Sequence, residues 1–189
     1  DILSKEFKDE TIFILKFTMS GYSLNHHWLN NYEKFDIYNA CLVFLETYLD
    51  YLISKNYDIN LDAICFMQGE SDTTEYKASR YYNNLIKFTN YLRSDLDKYN
   101  DDEIYFIDAG ISNSPYCEPA YKEVNKAKED FSKLSKYLLL NFSSSLYEYL
   151  SFSIFLINAL AFLNVDLGIS FCKSKLIPTD LLYSSKSYK

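Results

Sequence analysis

Glycine and proline are scarce in this chain, with four and three among 189 residues. Few positions can therefore break a regular element, and residues 33–55 run without either. The matching richness in Asn, Ile, Lys and Leu reads as coding bias rather than function. Histidine is scarcer still, limited to His26 and His27. The four cysteines, Cys41, Cys65, Cys117 and Cys172, show no CxxC spacing. No zinc ligand set is visible, and no metal or cofactor is expected. Cys65 falls inside an apolar run and reads as a buried structural thiol. Runs of lysine or arginine are absent and the formal net charge is -7, which argues against nucleic acid as a partner. No basic segment followed by an apolar stretch opens the chain, so no signal peptide is visible. Localisation stays open between cytoplasmic and secreted. What is abundant is apolar and aromatic side chain, 48% and 18% of the residues, enough for one domain with a buried core.

Three apolar runs, at residues 11–17, 61–67 and 103–108, read as buried strands. Helical stripes follow each of them. Leu42, Leu45, Leu49 and Leu52 mark the first, Tyr82, Leu85, Phe88 and Leu92 the second (residues 76–99), and Val124, Ala127, Phe131, Leu134 and Leu138 the third (118–140). Strands alternating with helices predict a three-layer α/β/α fold around a central parallel sheet, covered on both faces. Right-handed crossovers would then gather Ser20-Gly21, Gln68-Gly69 and Gly110 to Ser112 at one sheet edge. Ligands in such folds bind beyond the carboxyl ends of the strands.

The tail behaves differently. Residues 149–165 are almost entirely apolar, but they fall short of the about 20 residues that a membrane helix needs. Ser151, Ser153, Asn158 and Asn164 also interrupt them. The expected organisation is a domain over residues 1–140 and a divergent or aberrant tail over 141–189. A core helix is the next reading of the tail, and a membrane anchor the last.

The most telling stretch is Gln68-Gly69-Glu70-Ser71-Asp72, directly after a strand-like run. Ser71 lacks the second glycine of a Gly-x-Ser-x-Gly nucleophile turn, and Ser71 or Asp72 reads better as a cap of the next helix. Glu70 reads as a hydrogen-bonding support for neighbouring loops. His26 and His27 read as a polar loop pair, Trp28 as a packing anchor, and Asp108 as a carboxylate that could orient a base.

This block resembles the sialate O-acetylesterase-like branch of the SGNH hydrolases, the carbohydrate acetylesterases. Ser20-Gly21-Tyr22-Ser23-Leu24 followed by Trp28 is similar to the Gly-Gly-Thr-x-Leu block of that branch. Leu92-Arg93, Ile107 to Ser112 and Val124 to Ala127 are similar to its later pieces, so the likeness spans residues 11–140. The resemblance implies an SGNH/flavodoxin-like fold, truncated, and serine acyl transfer from an acetylated carbohydrate substrate. It implies that Gly21 and Gln68 donate to an oxyanion hole, with Glu70 in support. The family's Gly-x-Ser-Asn-like nucleophile block and Asp-x-x-His base block have no counterpart here, and no histidine follows His27. The resemblance therefore implies an incomplete esterase domain, with a non-catalytic binding relative of the same fold as the alternative.

Overall fold

The computed structural model describes residues 9–113, 117, 119–134, 136–140 and 167–176. Strand β1 (Thr11–Phe17) leads through a loop and a π-helical turn at Leu24–Trp28 to a small ladder, β2 (Leu29–Asn30) and β3 (Glu33–Lys34). Asn31 and Tyr32 both take positive φ, 48° and 67°, as a tight hairpin with right-handed strand twist requires. Helix α1 (Asp36–Ser54), β4 (Tyr57–Met67), α2 (Glu75–Asp95), β5 (Tyr105–Ala109), α3 (Tyr121–Phe131), β6 (Tyr137–Leu140) and β7 (Leu167–Leu176) follow. The five-stranded sheet has the order β1-β7-β4-β5-β6. Strands β4, β5 and β6 pair in parallel, and the fold is α/β.

Three expectations differ from what is seen. The third helix was expected to run to residue 140. It stops at Phe131, and Tyr137–Leu140 forms strand β6 instead. Lys136 takes φ 59° and turns the chain. The Tyr137 ring then settles 3.9 Å, centroid to centroid, from that of Phe131. Arg93 fixes this return, because Nη1 donates to the Tyr137 hydroxyl and Nη2 to the Lys136 and Ile104 carbonyls.

The second difference concerns strand direction. Strand β7 lies between β1 and β4 and is antiparallel to both. Flavodoxin-like sheets hold their first strand in that second place; here a late strand holds it. Strand β6 ends at the carboxyl edge of the sheet, and an antiparallel β7 starts from that same edge. A parallel β7 would need a crossover back.

The third difference concerns the helices. All three described helices pack on one sheet face. Phe66 and Phe106 on that face touch Phe88 of α2, and Phe106 touches Phe131 of α3. Cys41 and Leu45 of α1 line a small apolar space with Ile64 and Phe66. The crossovers β1–α1–β4, β4–α2–β5 and β5–α3–β6 all advance in one direction, so a constant hand puts their helices on one side. Ala63, Cys65 and Ile107 face the other way and are buried too. Burial pushes the Cys65 thiol well above its usual pKa, as for an inert core cysteine. Among the described residues no helix is long and apolar enough to cross a membrane, and residues 149–165 lie outside them.

Candidate active site

Strand β4 delivers Gln68 to the carboxyl edge of the sheet. Gly69 follows at φ 150°, a region that side-chain-bearing residues rarely enter. A Cβ there would stand 3.0 Å from Val124 Cγ1, 3.1 Å from Ile111 Cγ2 and 3.3 Å from Lys128 Cε. The turn thus needs glycine for its conformation and for the close approach of α3. Gly69→Ala is expected to destabilise by about 1 to 3 kcal/mol through strain and overpacking, measured by urea unfolding. A change within a few tenths would show that the turn relaxes freely.

Asp72 closes the short turn Glu70–Asp72 and is fully buried. It does not cap α2. Its carboxylate turns back and accepts from the Leu24 N–H at 2.7 Å, the Asn25 N–H at 3.1 Å and Gln68 Nε2 at 2.6 Å. Burial raises the Asp72 pKa above the ordinary carboxylate value, opposed by these same bonds and by Lys77. Gln68 Nε2 also donates to the Tyr22 carbonyl at 3.3 Å. The Tyr81 hydroxyl faces both oxygens of Gln68, the main-chain one at 3.0 Å and Oε1 at 3.1 Å. Asn84 Nδ2 donates to Asn25 Oδ1 at 2.9 Å. A buried polar network therefore ties the loop after β1 to the end of β4 and to α2.

A second buried cluster joins β4, β5 and α3. Lys128 Nζ, with a fully buried side chain, donates to Asp108 Oδ1 at 2.8 Å, to the Ala109 carbonyl at 2.7 Å and to the Gln68 carbonyl. Asp108 Oδ1 also accepts from the Ala109 N–H at 2.8 Å, while Asp108 Oδ2 is buried with no hydrogen-bond partner. Burial raises the Asp108 pKa and the Lys128 ammonium opposes the rise. Asn125 grips the backbone of Ile111 through both amide atoms, at 2.8 Å each.

The loops expected to converge do so: Tyr22 touches Gln68, and Gly69 abuts Ile111. Gly21 lies on an exposed turn at φ 75°, with no atom within 4 Å of a Cβ placed there. Glu70 is half-buried beside Ser71, whose carbonyl accepts from Lys77 Nζ at 2.8 Å. His27 Nδ1 accepts from the Ser23 N–H at 3.0 Å and lies 3.1 Å from Ser23 Oγ. Ser23 is fully buried and its hydroxyl caps the π-helical turn by accepting from the His26 N–H. Trp28 is a buried anchor against Phe17, Phe66 and Phe88. Among the described residues no group of His, Cys, Asp or Glu is placed to hold a metal ion.

Sequence reasoning missed Lys128, Tyr81 and Asn84. Lys128 carried a signal, because it falls on the stripe of Val124, Ala127 and Phe131, where a solvated lysine does not belong. Tyr81, not Tyr82, is the fully buried tyrosine of α2.

No curated protein and no solved structure matches the chain. The sequence model of the family described as carbohydrate esterase, sialic acid-specific acetylesterase, matches residues 1–141, which take in the whole Gln68–Asp72 network and the Lys128 cluster. The chain belongs to the carbohydrate esterase, sialic acid-specific acetylesterase family.

Proposed function

We propose that residues 1–140 form one wall of an SGNH-type O-acetylesterase site, working on an acetylated carbohydrate by serine acyl transfer. Residues 141–189 are a tail that lends β7 to the sheet. Gly21 supplies a backbone N–H, and Gln68 a side-chain N–H, to the oxyanion of the tetrahedral intermediate. The observation that carries this reading is the unequal use of the two Gln68 N–H groups. One is held by Asp72 at 2.6 Å, which fixes the amide plane. The other reaches the Tyr22 carbonyl at only 3.3 Å, so a developing oxyanion can recruit it. A neutral amide does this without a charge to desolvate, and loss of such a donor raises a barrier by about 3 to 4 kcal/mol. Glu70 supports the turn that sets Gln68 in place.

Turnover also needs a nucleophile and a base. Ser71 sits in a turn of the wrong pattern, Ser23 is buried as a cap, and His27 serves that same cap. The chain of these 189 residues is therefore proposed to bind without hydrolysing. Acetate release from acetylated sialic acid or acetylated xylan is expected to match buffer alone. O-acetylated sugar is expected to bind more tightly than its deacetylated form, with the difference lost in Gln68→Ala. Acetate release that disappears in Gln68→Ala would overturn the inactivity. Equal binding of both sugars would overturn the acyl-site reading. A non-catalytic binding relative is the second reading, favoured by the engagement of both Gln68 N–H groups. It predicts that sugar binding ignores the acetyl group.

A further inference from the structure

We propose that two copies of this chain pair through β1, antiparallel and centred on Ile14, so that their two sheets become one. The pairing does not depend on the esterase-site reading. Strand β1 ends the five-stranded sheet. It is seven residues long, contains no proline or positive φ, and keeps an unshifted register with β7. Open edges are normally blunted by proline, a bulge or charged side chains; of these β1 has only Lys16. Ile14 is 50% exposed. Phe13, Leu15 and Phe17 pack against the core yet stay only partly buried. From Phe17 the rings continue outward to Phe44, 5.6 Å between centroids, and from Phe44 to Tyr48, 4.9 Å. On the same helix Val43 is 63% exposed. The sheet thus stops in the middle of an apolar surface.

The occupant is a second copy because β1 is complementary to itself. About a two-fold axis at Ile14, an antiparallel pairing sets Phe13 opposite Leu15 of the second copy and Ile12 opposite Lys16. The partly buried side chains on the helix-bearing face then cover one another, and on the other face Ile14 meets Ile14. The charges fit the same register. By the alternation of a strand, Glu10 falls on the face of Ile12, Ile14 and Lys16. Among the described residues neither Glu10 nor Lys16 forms a salt bridge. In the paired strands Lys16 stands diagonally across from Glu10 of the second copy, about 7 to 8 Å away and within reach of long side chains. The axis makes this contact twice, and it keeps the two copies of Lys16 about 13 Å apart along the strand. Such an interface uses the same patch on both copies and closes on itself, so assembly stops at the dimer.

The test is sedimentation velocity of the full chain over a concentration series, in which a monomer–dimer equilibrium is expected. Ile14→Lys sets two like charges face to face on the axis and should weaken the dimer about tenfold or more. Glu10→Lys and Lys16→Glu should each weaken it about threefold, and the two exchanges together should restore it. Rescue by the double exchange reads the register, because a merely structural role of either residue would add the two losses. Thermal melts establish that the variants are folded. A chain that stays monomeric at every concentration would overturn the interface. So would a dimer indifferent to Ile14→Lys, or a double exchange without rescue. Slow exchange of the outward β1 amides in a monomer would assign the edge to another segment of this chain and overturn the dimer as well.

Discussion

Lys128→Met is expected to destabilise the fold by about 3 to 5 kcal/mol, the usual result of stripping one partner from a buried ion pair. The Asp108 carboxylate would be left buried without its cation, and the Gln68 and Ala109 carbonyls would lose a donor. Domains of ordinary stability have about 5 to 15 kcal/mol in total, so the variant stands close to unfolding at room temperature. Adding Asp108→Leu removes the orphaned charge and should restore part of the loss, because an apolar pair of similar volume is often tolerated in place of a buried ion pair. Restoration stays incomplete, since the Ala109 carbonyl loses Lys128, the Gln68 carbonyl keeps only the Tyr81 hydroxyl, and the Ala109 N–H loses the Asp108 oxygen. Urea unfolding of the single and double variants reads both effects. A single-variant loss below about 1 kcal/mol would mean that water reaches Asp108 and the pair is not buried in solution.

The second large effect is at Asp72. Asp72→Ala strips the acceptor from the Leu24 N–H, the Asn25 N–H and Gln68 Nε2. Each buried donor left unsatisfied costs about 1 to 3 kcal/mol, so a total of about 3 kcal/mol or more is expected. The loss is local in character, because these bonds fasten the loop after β1 to the end of β4. Amide exchange should quicken at Leu24 and Asn25 while Phe106 and Ile107 keep their protection relative to global unfolding. Uniform acceleration at all four would show that Asp72 holds the whole domain rather than the loop.

Asp72 also carries a pH signature. Its folded-state pKa is raised by burial above the about 3.9 of a free aspartate. Protonation is therefore easier in the folded protein than in the unfolded chain. The resulting stability is complete below the ordinary aspartate pKa and is lost as pH rises through the raised value. Asp72→Asn has no such titration. Between pH 7 and pH 4 the wild type should gain stability relative to this variant. A gap that shrinks on acidification would mean that the three donors outweigh burial and that the native carboxylate is held ionised.

Much of the fold was legible because its signals are local. The apolar stripes of α1 and α2 and the runs at β1, β4 and β5 each announce themselves within a dozen residues. The end of α3 was not legible, because Leu134 and Leu138 continue its helical period. The turn at Lys136 carries neither glycine nor proline to mark it. Strand β7 was hidden for a different reason: its direction and place depend on pairing with β1 and β4, which no local pattern encodes. In the candidate site, Gln68 to Asp72 stood out as polar residues after a buried strand. What could not be read was that Asp72 folds back to the loop after β1, since a carboxylate before a helix normally caps it. The buried role of Lys128 was readable in principle, as a charge on an apolar stripe.

The place of β7 also governs the order in which this sheet can assemble. Strands β1 and β4 never touch each other in register; each pairs with β7, about a hundred residues further along the chain from β4. A growing polypeptide that has emitted β4, β5 and β6 can close that half of the sheet by sequential crossovers. The β1 side has to wait for β7. Until β7 arrives, β1 and the inner edge of β4 present unpaired backbone groups of the kind that recruit other chains. Such late, distant pairing is slow. Strand β7 is therefore the step at which folding of this chain competes most directly with aggregation.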